Sequence, residues 1–472
     1  MGQHIQRVVL VEAPQLWRTK DHTPPLGLGY LAAAVRTALP RTDVQILDAS
    51  ARELSVDETV RELSRLSPDV VGLTANSHNR FNVIDICRGI GAVRPRTGIV
   101  LGGPHFSYTA EDALEQIAEA DVVVRGEGEK TFVELLCALN SGNRDALADV
   151  RGLSFRDGDT GRIIYTPDRE PLEDINFLPA WDLFDHNRYH ARLEALGEGR
   201  AVGVLSSRGC PFRCVFCANR NRYARHIRFR TPSHFVDELE HLNGQYGYRD
   251  FDIWDDTFTL RREHAEAVCR EILRRRLNIR WYCLIRANTT DEALLSLMRE
   301  AGCRGVGLGV ESGSPTVLQS IRKDIRPDSV RKVTKAAVRV GLRVKAFFLH
   351  SLPDETLEDL RLTRELMYDL RSYSRRVRSI WAMTIVYPGT ELEAMAWRRG
   401  WLGDGFSWND RTPHCEHLAH SRGSVPYFSG AAVPPAQIAA FAKHYRPALT
   451  RRLVRPVKRL AMRLPFFHRL VQ

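Results

Sequence analysis

Ser206-Ser207-Arg208-Gly209-Cys210-Pro211-Phe212-Arg213-Cys214-Val215-Phe216-Cys217 sets three cysteines at C-x3-C-x2-C within eight residues. A loop that short can aim three thiolates at one region. Three thiolates suit a 4Fe–4S cluster with one iron left open, since a closed cluster takes four. Structural zinc is the rival. It also takes four ligands, commonly as two separated pairs, and the chain has no second close pair of cysteines. The other six cysteines are scattered (Cys87, Cys137, Cys269, Cys283, Cys303, Cys415) and read as small buried hydrophobes. Cys415 stays open, because it lies in the polar run Pro413-His414-Cys415-Glu416-His417. Nine cysteines in 472 residues make no secreted disulfide framework, and a reducing compartment would protect such a cluster.

Downstream of the cysteines the pattern is strand, loop, helix, repeated. Strands are expected at Ala201–Ser206, Phe251–Trp254, Trp281–Ile285, Gly305–Val310, Val344–Leu349 and Ile380–Val386, with helical patterns between them. Six such steps over residues 201–390 predict a partial (β/α)6 barrel, in which chemistry gathers at the C-terminal ends of the strands. The residues that fall there are polar: Asp255 and Asp256, Arg286, Glu311 and Ser312, His350, and Tyr387. Glu311 and Asp255 can steady an amino group or ribose hydroxyls, and Arg286 can pair with a carboxylate as a planar fork. Each carboxylate is equally readable as a helix cap. His350 stands at the expected cavity mouth and is the candidate substrate-side, catalytic residue. A satisfied structural histidine is the alternative.

Upstream, over residues 1–145, apolar runs at Val8–Val11, Val44–Leu47, Val70–Leu73, Ile99–Gly103 and Val122–Val124 alternate with helical patterns. That alternation predicts a doubly wound, Rossmann-like parallel sheet, whose ligands bind outside the carboxyl ends of its strands. Those ends hold Thr74–Asn79 (with Asn76, Ser77 and His78), Gly102–His105, and Arg125–Glu129. No G-x-G-x-x-G follows the first strand, which disfavours a nicotinamide dinucleotide. Residues 146–200 read as a linker that includes a hairpin, Leu153–Phe155 with Ile163–Tyr165.

The cysteine spacing, with the aromatic Phe216 just ahead of the third cysteine, resembles the radical S-adenosylmethionine (radical SAM) enzymes. Tyr387-Pro388-Gly389-Thr390 resembles their sixth-strand signature. Three upstream stretches, Pro24-Pro25-Leu26-Gly27-Leu28-Gly29-Tyr30-Leu31, Leu101-Gly102-Gly103-Pro104-His105 and Arg125-Gly126-Glu127-Gly128-Glu129, together look like the cobalamin-binding domain that precedes one class of those enzymes. The resemblance spans about residues 5–400. It implies a 4Fe–4S cluster on Cys210, Cys214 and Cys217. It implies S-adenosylmethionine near Phe216, Asp255, Asp256, Arg286, Glu311, Ser312 and Tyr387. Cobalamin is implied near Pro25, Leu26, Gly27, Asn76, Ser77, His78, Gly102, Gly103, His105, Glu127 and Gly128. Two departures stand out. The Asp-x-His-x-x-Gly of classical cobalamin domains is absent, so no protein histidine is expected under the cobalt, and His78 and His105 are residual candidates for cofactor contacts. The fifth-strand ending is His350-Ser351-Leu352-Pro353-Asp354-Glu355-Thr356 where relatives commonly have Gly-Leu-Pro-Gly-Glu-Thr.

The implied activity is a cobalamin-dependent methyltransferase acting on an unactivated carbon of a small molecule. A 5′-deoxyadenosyl radical takes a hydrogen atom from the substrate, which then receives a methyl group from methylcobalamin. An oxidative cyclase or ring-rearranging enzyme keeps the same cofactors, and a non-catalytic cobalamin sensor or carrier is the reading from another class. Such chemistry needs a one-electron reductant such as ferredoxin or flavodoxin.

The formal charge of +11 is uneven: Lys443 to Gln472 hold nine Lys or Arg and no acid. The balanced body argues against nucleic acid as a partner. The tail spaces Leu449, Leu453, Val457, Leu460 and Leu464 among arginines, interrupted by Pro456 and Pro465. It can touch an anionic membrane or pack on the body. Aromatic residues at Trp397, Trp401, Phe406, Trp408, Tyr427 and Phe428 can line a hydrophobic substrate cavity or form a small core under a cap, and residues 391–472 are expected to make a small, mainly helical C-terminal region. No run reaches the ~20 apolar residues of a membrane span and no signal pattern opens the chain, so a cytoplasmic protein is expected.

Overall fold

The computed structural model describes residues 4–15, 22–193, 196–197, 199–218, 226–411, 418–420, 426–428 and 433. Cys415 and the basic tail lie outside the described residues. The first sheet is built from β1 (Arg7–Glu12), α1 (Leu26–Ala38), β2 (Asp43–Asp48), α2 (Val56–Leu66), β3 (Val70–Thr74), α3 (Arg80–Val93), β4 (Gly98–Gly102), α4 (Gly103–Tyr108), α5 (Ala110–Gln116), β5 (Val122–Val124), α6 (Gly128–Ser141), β6 (Leu153–Arg156) and β7 (Ile163–Tyr165). Its order is β2-β1-β3-β4-β5-β6-β7. Strands β1 to β5 run parallel.

The strands are apolar throughout because both faces are covered. Val9, Val11, Val71 and Leu73 enter one core, and their neighbours Val8, Leu10 and Val70 enter the other. Local chemistry fixes the helix ends. Ser55 and Glu58 form a capping box at the start of α2, and Gly142 ends α6 in the left-handed conformation. The hairpin read as part of the linker instead extends this sheet: β6 pairs antiparallel with β5, and β7 with β6. The hairpin covers β5 and leaves the three-residue β7 as the short edge of the sheet.

The second sheet follows: β8 (Ala201–Val204), the short pair β9 (Ser207–Arg208) and β10 (Arg228–Phe229), α7 (Pro232–Tyr246), β11 (Asp250–Ile253), α8 (Arg262–Arg274), β12 (Arg280–Ile285), α9 (Glu292–Glu300), β13 (Cys303–Glu311), α10 (Pro315–Ser320), α11 (Pro327–Arg339), β14 (Arg343–His350), α12 (Leu357–Ser372), β15 (Val377–Met383) and α13 (Glu391–Arg398). Six parallel strands stand in sequence order, β15-β14-β13-β12-β11-β8, with helices between them. The first and last strands do not pair, so the barrel is open. Its outer face is the larger core, from Phe251 and Trp281 through Val306 and Leu308 to Phe348. A last hairpin, β16 (Leu418–His420) with β17 (Pro426–Phe428), lies beyond α13.

Candidate active site

The cysteine loop leaves β8 under tight control. Asp255, fully buried after β11, accepts from the amide and hydroxyl of both Ser206 and Ser207 at 2.6–3.0 Å. Both of its oxygens are used. Reading Asp255 as a ligand to an amino group or ribose therefore does not match its placement: it is the clamp that sets the loop's entry angle. His264 Nε2 meets Ser206 Oγ at 3.1 Å from the far side, and burial holds that imidazole neutral by lowering its pKa to about 4. Past Gly209 (φ +97°), the Cys217 amide bonds the Cys214 carbonyl. Val215 ties the loop to the barrel in both directions, donating to Ile321 O and accepting from Leu392 N, each at 3.2 Å.

All three cysteines are free thiols, Cys214 buried and the other two half-buried. Burial raises the Cys210 thiol, and the Cys214 and Asp256 charges add to this. Among the described residues no three His, Cys, Asp or Glu side chains gather as for a single metal ion. A cluster does not ask for that, because each sulfur binds a different iron. Arg286, 4% exposed, stacks 3.6 Å above Phe212 and brings Nη1 within 3.8 Å of Cys214 Sγ. Its Nη2 is buried without a partner. A buried guanidinium with a donor to spare beside the thiols is an anion seat, suited to a cluster's negative charge or a ligand carboxylate.

Across the barrel mouth, Glu311 sits in the left-handed region at φ +67° and its Oε1 accepts from Lys323 Nζ at 2.7 Å, both side chains 9% exposed. Lys323 also faces the Phe216 ring at 6.0 Å, so this pair backs the cysteine loop. A Cβ at Gly309 would stand 2.8 Å from both Glu311 Oε1 and Lys323 Nζ, so a larger residue here would push on this ion pair. Ser312 is turned away from the mouth: its hydroxyl bonds Thr363 Oγ1 at 2.9 Å and accepts from the Ser314 amide. Its expected ligand contact gives way to a turn.

At the carboxyl ends of the first sheet's strands lies an apolar slot of ≈ 250 Å³. Leu26, Gly27, Gly102, Gly103 and Gly128 line it together with Glu127, Glu129 and Arg208. Strand order reverses between β1 and β3, and the slot opens at that switch point, where such sheets bind ligands. Gly103 is needed twice: it takes φ +85°, and a Cβ would lie 2.4 Å from Thr74 Oγ1. Glu127, expected at the cofactor, spends its carboxylate on Arg228 (2.7 and 2.9 Å) and the Leu172 amide. Glu129 holds Arg208 at 2.7 Å, whose guanidinium also lies over the Tyr30 ring at 4.7 Å. Thus the slot's acidic rim pairs with arginines of β9 and β10, the strands flanking the cysteine loop.

The other strand-end residues split by role. Asn76 closes its own turn, accepting from the His78 and Asn79 amides. His105 uses both ring nitrogens, on Ser77 Oγ at 3.0 Å and Asn409 Oδ1 at 3.2 Å. Full burial, with Arg80 nearby, lowers its pKa to about 3. Neither nitrogen is left for a cofactor, so His105 is structural, and it holds the Ser77 hydroxyl from one side. His78 Nε2 meets the Tyr387 hydroxyl at 3.0 Å, joining the first sheet's loop to the sixth-strand signature. Pro25 starts α1 and its carbonyl accepts from Leu28 and Gly29. His350 Nδ1 meets Ser351 Oγ at 3.0 Å and its ring stands edge-on to Trp381; burial lowers its pKa to about 4. It is a neutral imidazole.

The residues missed from sequence are Arg208, Lys323, Phe212 and Glu355. Arg208 carried a signal, its place two residues before Cys210. Lys323 carried none, because only tertiary burial singles it out, whereas Glu355 stands at the glutamate of the quoted fifth-strand ending. Glu355 is 2% exposed with Oε1 unpartnered, and burial raises its pKa to about 8.

A B12 binding domain model matches residues 18–136 and a radical SAM superfamily model matches residues 204–367. An uncharacterized methyltransferase of Pyrococcus horikoshii is 33% identical over 78% of this chain and 77% of its own length. The chain belongs to the radical SAM enzymes that carry a B12-binding domain. The anaerobic magnesium-protoporphyrin IX monomethyl ester cyclase of Rubrivivax gelatinosus is 29% identical over 85% of this chain and 71% of its own. The fold matches the radical SAM methyltransferase TsrM of Kitasatospora setae, solved with cobalamin and a 4Fe–4S cluster, at a TM-score of 0.75 and 20% identity, covering 94% of this chain and 90% of that one. The cofactors of this radical SAM enzyme are cobalamin, a 4Fe–4S cluster and S-adenosylmethionine. The residues present fit them: three free thiols beside a spare guanidinium donor, and an apolar slot that glycines keep clear.

Proposed function

We propose that this enzyme transfers a methyl group to an unactivated carbon of a small-molecule substrate. One observation carries the reading. Arg208 is both a wall of the slot and the residue two before Cys210, so at ~3.8 Å per Cα step the slot and the cluster loop are within about 8 Å of each other along the chain. When bound, the cofactors supply a 5′-deoxyadenosyl radical and a transferable methyl group. The protein supplies placement. Glu129 and Glu127 hold the strands that flank the cysteine loop against the slot. Cys210, Cys214 and Cys217 are the cluster ligands, and Arg286 offers its free donor beside them. Glu311, Lys323, Asp256 and Phe216 shape the S-adenosylmethionine side, while Leu26, Gly27, Gly102, Gly103 and Gly128 admit the flat end of cobalamin. His350, neutral at the mouth, faces the substrate side as a hydrogen-bonding group. Tyr387 and His78 brace the two halves from behind.

Among the described residues no helix is long and apolar enough to cross a membrane. Reductive cleavage of S-adenosylmethionine needs a one-electron donor of the ferredoxin or flavodoxin kind, in a cytoplasmic setting. Likeness to the cyclase favours a second reading, oxidative ring closure with the same cofactors. The test is anaerobic purification with added cobalamin, then iron, sulfide and corrinoid analysis and incubation with S-adenosylmethionine. Formation of 5′-deoxyadenosine, absent in Cys214→Ala, supports radical chemistry over a passive cobalamin carrier. A product heavier by one methyl supports transfer, and loss of hydrogens without added carbon supports cyclisation.

A further inference from the structure

Helix α4 is short, and it touches both the slot and the cysteine loop. Gly102 and Gly103, where the chain leaves β4, line the slot. The backbone is pinned there: the Ala75 amide donates to Gly102 O at 3.1 Å, and the His105 amide donates to Ala75 O at 3.0 Å. Further along, the buried Ser107 hydroxyl accepts at 3.0 Å from the amide of Gly126, another slot residue. Phe106 is fully buried in the core of the first domain. At ~1.5 Å per residue, the five steps from Gly103 to Tyr108 advance only about 7.5 Å.

Tyr108 ends the helix and reaches the other domain. Its hydroxyl donates to Ala218 O at 2.6 Å, across 110 positions, and Ala218 directly follows Cys217. Its ring packs on Gly389, which takes φ +77° and where a Cβ would lie 2.2 Å from the ring. The first domain thus touches the cysteine loop at both ends, at Arg208 before Cys210 and at Ala218 after Cys217. Between them, Val215 is tied to the barrel. A backbone has two soft dihedrals per residue, so fixing the Ala218 carbonyl narrows where Cys217 can set its sulfur. One hydrogen bond of this kind shifts an equilibrium by about two- to tenfold.

We propose that Tyr108 is a positioning residue that links filling of the slot by cobalamin to the hold on the cluster at Cys217. A molecule against Gly102, Gly103 and Gly126 restrains α4 at both of its slot contacts. The Tyr108 hydroxyl passes that restraint to Ala218. The link works equally in reverse, because a coupling free energy between two sites is reciprocal. The enzyme therefore keeps its cluster best when the slot is filled. The proposal rests on the reading above, in which Cys210, Cys214 and Cys217 hold the cluster and the slot takes cobalamin.

The test follows iron release from anaerobic, cluster-loaded full-length protein to excess bathophenanthroline, with and without saturating hydroxocobalamin. In wild type, cobalamin is expected to slow release about fivefold, within what one hydrogen bond supplies. Tyr108→Phe keeps the ring on Gly389 and removes the donor. Its slowing should shrink to about twofold or less, with iron, sulfide and corrinoid contents and far-ultraviolet circular dichroism as in wild type. The rate without cobalamin should change less than the rate with it. Tyr108→para-aminophenylalanine, whose amine donates from the same place, should restore the slowing. The proposal is overturned if cobalamin leaves the wild-type rate unchanged, if Tyr108→Phe is protected as well as wild type, or if both of its rates rise by one common factor. Failure of the underlying reading looks different. Wild type then holds no iron and sulfide, or no corrinoid, and the proposal falls with it; intact cofactors without the link sink the role of Tyr108 alone.

Discussion

Arg208 Nη1 lies 2.7 Å from Glu129 Oε1, with both side chains at most 14% exposed. The pair spans the junction between the slot and the cysteine loop. Glu127, 3.5 Å from the same guanidinium, also binds Arg228, so two carboxylates and two arginines form one buried lattice. Removing one member leaves a charge unpaired, at a cost of about 3 kcal/mol. Arg208→Met is expected to lower urea stability by that order and to reduce corrinoid retention. A variant with unchanged unfolding midpoint and full corrinoid would show that the lattice does not hold the slot.

Gly128 opens α6 at the slot wall, with Leu31 2.9 Å from the position a Cβ would take. Gly128→Leu places a branched side chain in the space. Corrinoid retention is expected to fall at least about tenfold, with far-ultraviolet circular dichroism unchanged, since a helix's first turn accepts Leu better than Gly. Gly103→Ala acts differently. Its left-handed backbone and the contact with Thr74 predict a loss of about 1–3 kcal/mol in stability, read by denaturant titration.

Glu355 holds its proton to about pH 8 in the native state because it is buried, whereas an exposed glutamate ionises near 4.3. Between those values the unfolded chain has released a proton that the native chain keeps, so this group's contribution to stability falls as pH rises. Glu355→Gln removes that dependence. Relative to wild type the variant should gain about 2–4 kcal/mol at pH 8 and little at pH 4.5, measured by urea midpoints at both. An equal effect at the two pH values would mean the carboxyl is ionised in the fold.

Arg286 combines a stack on Phe212, a contact with Cys214 and a spare buried donor. Lysine keeps the charge but loses the plane and the fork. Arg286→Lys is expected to retain iron and sulfide while slowing S-adenosylmethionine cleavage by about tenfold or more. Loss of the cluster itself would move Arg286 from ligand placement to cluster retention.

What could be read from the chain alone was local or periodic. The C-x3-C-x2-C spacing, the alternation of apolar strands with helices, and the glycines of Leu101-Gly102-Gly103 and Arg125-Gly126-Glu127-Gly128 are short-range patterns, and they pointed to which cofactors the enzyme uses and to several residues that line the slot. Roles that depend on a distant partner were not legible. Glu127 reads as a ligand-binding carboxylate until Arg228, 101 positions later, is brought beside it. Asp255 reads the same way until Ser206 and Ser207 fill both its oxygens. His105 reads as a cofactor contact until Asn409 takes its second nitrogen. The sequence by itself determined which residue types stand at the strand ends, because backbone periodicity and loop length are properties of neighbours. Only the tertiary structure decided which of those groups still has a free donor or acceptor, because that depends on burial and on partners tens to hundreds of residues away.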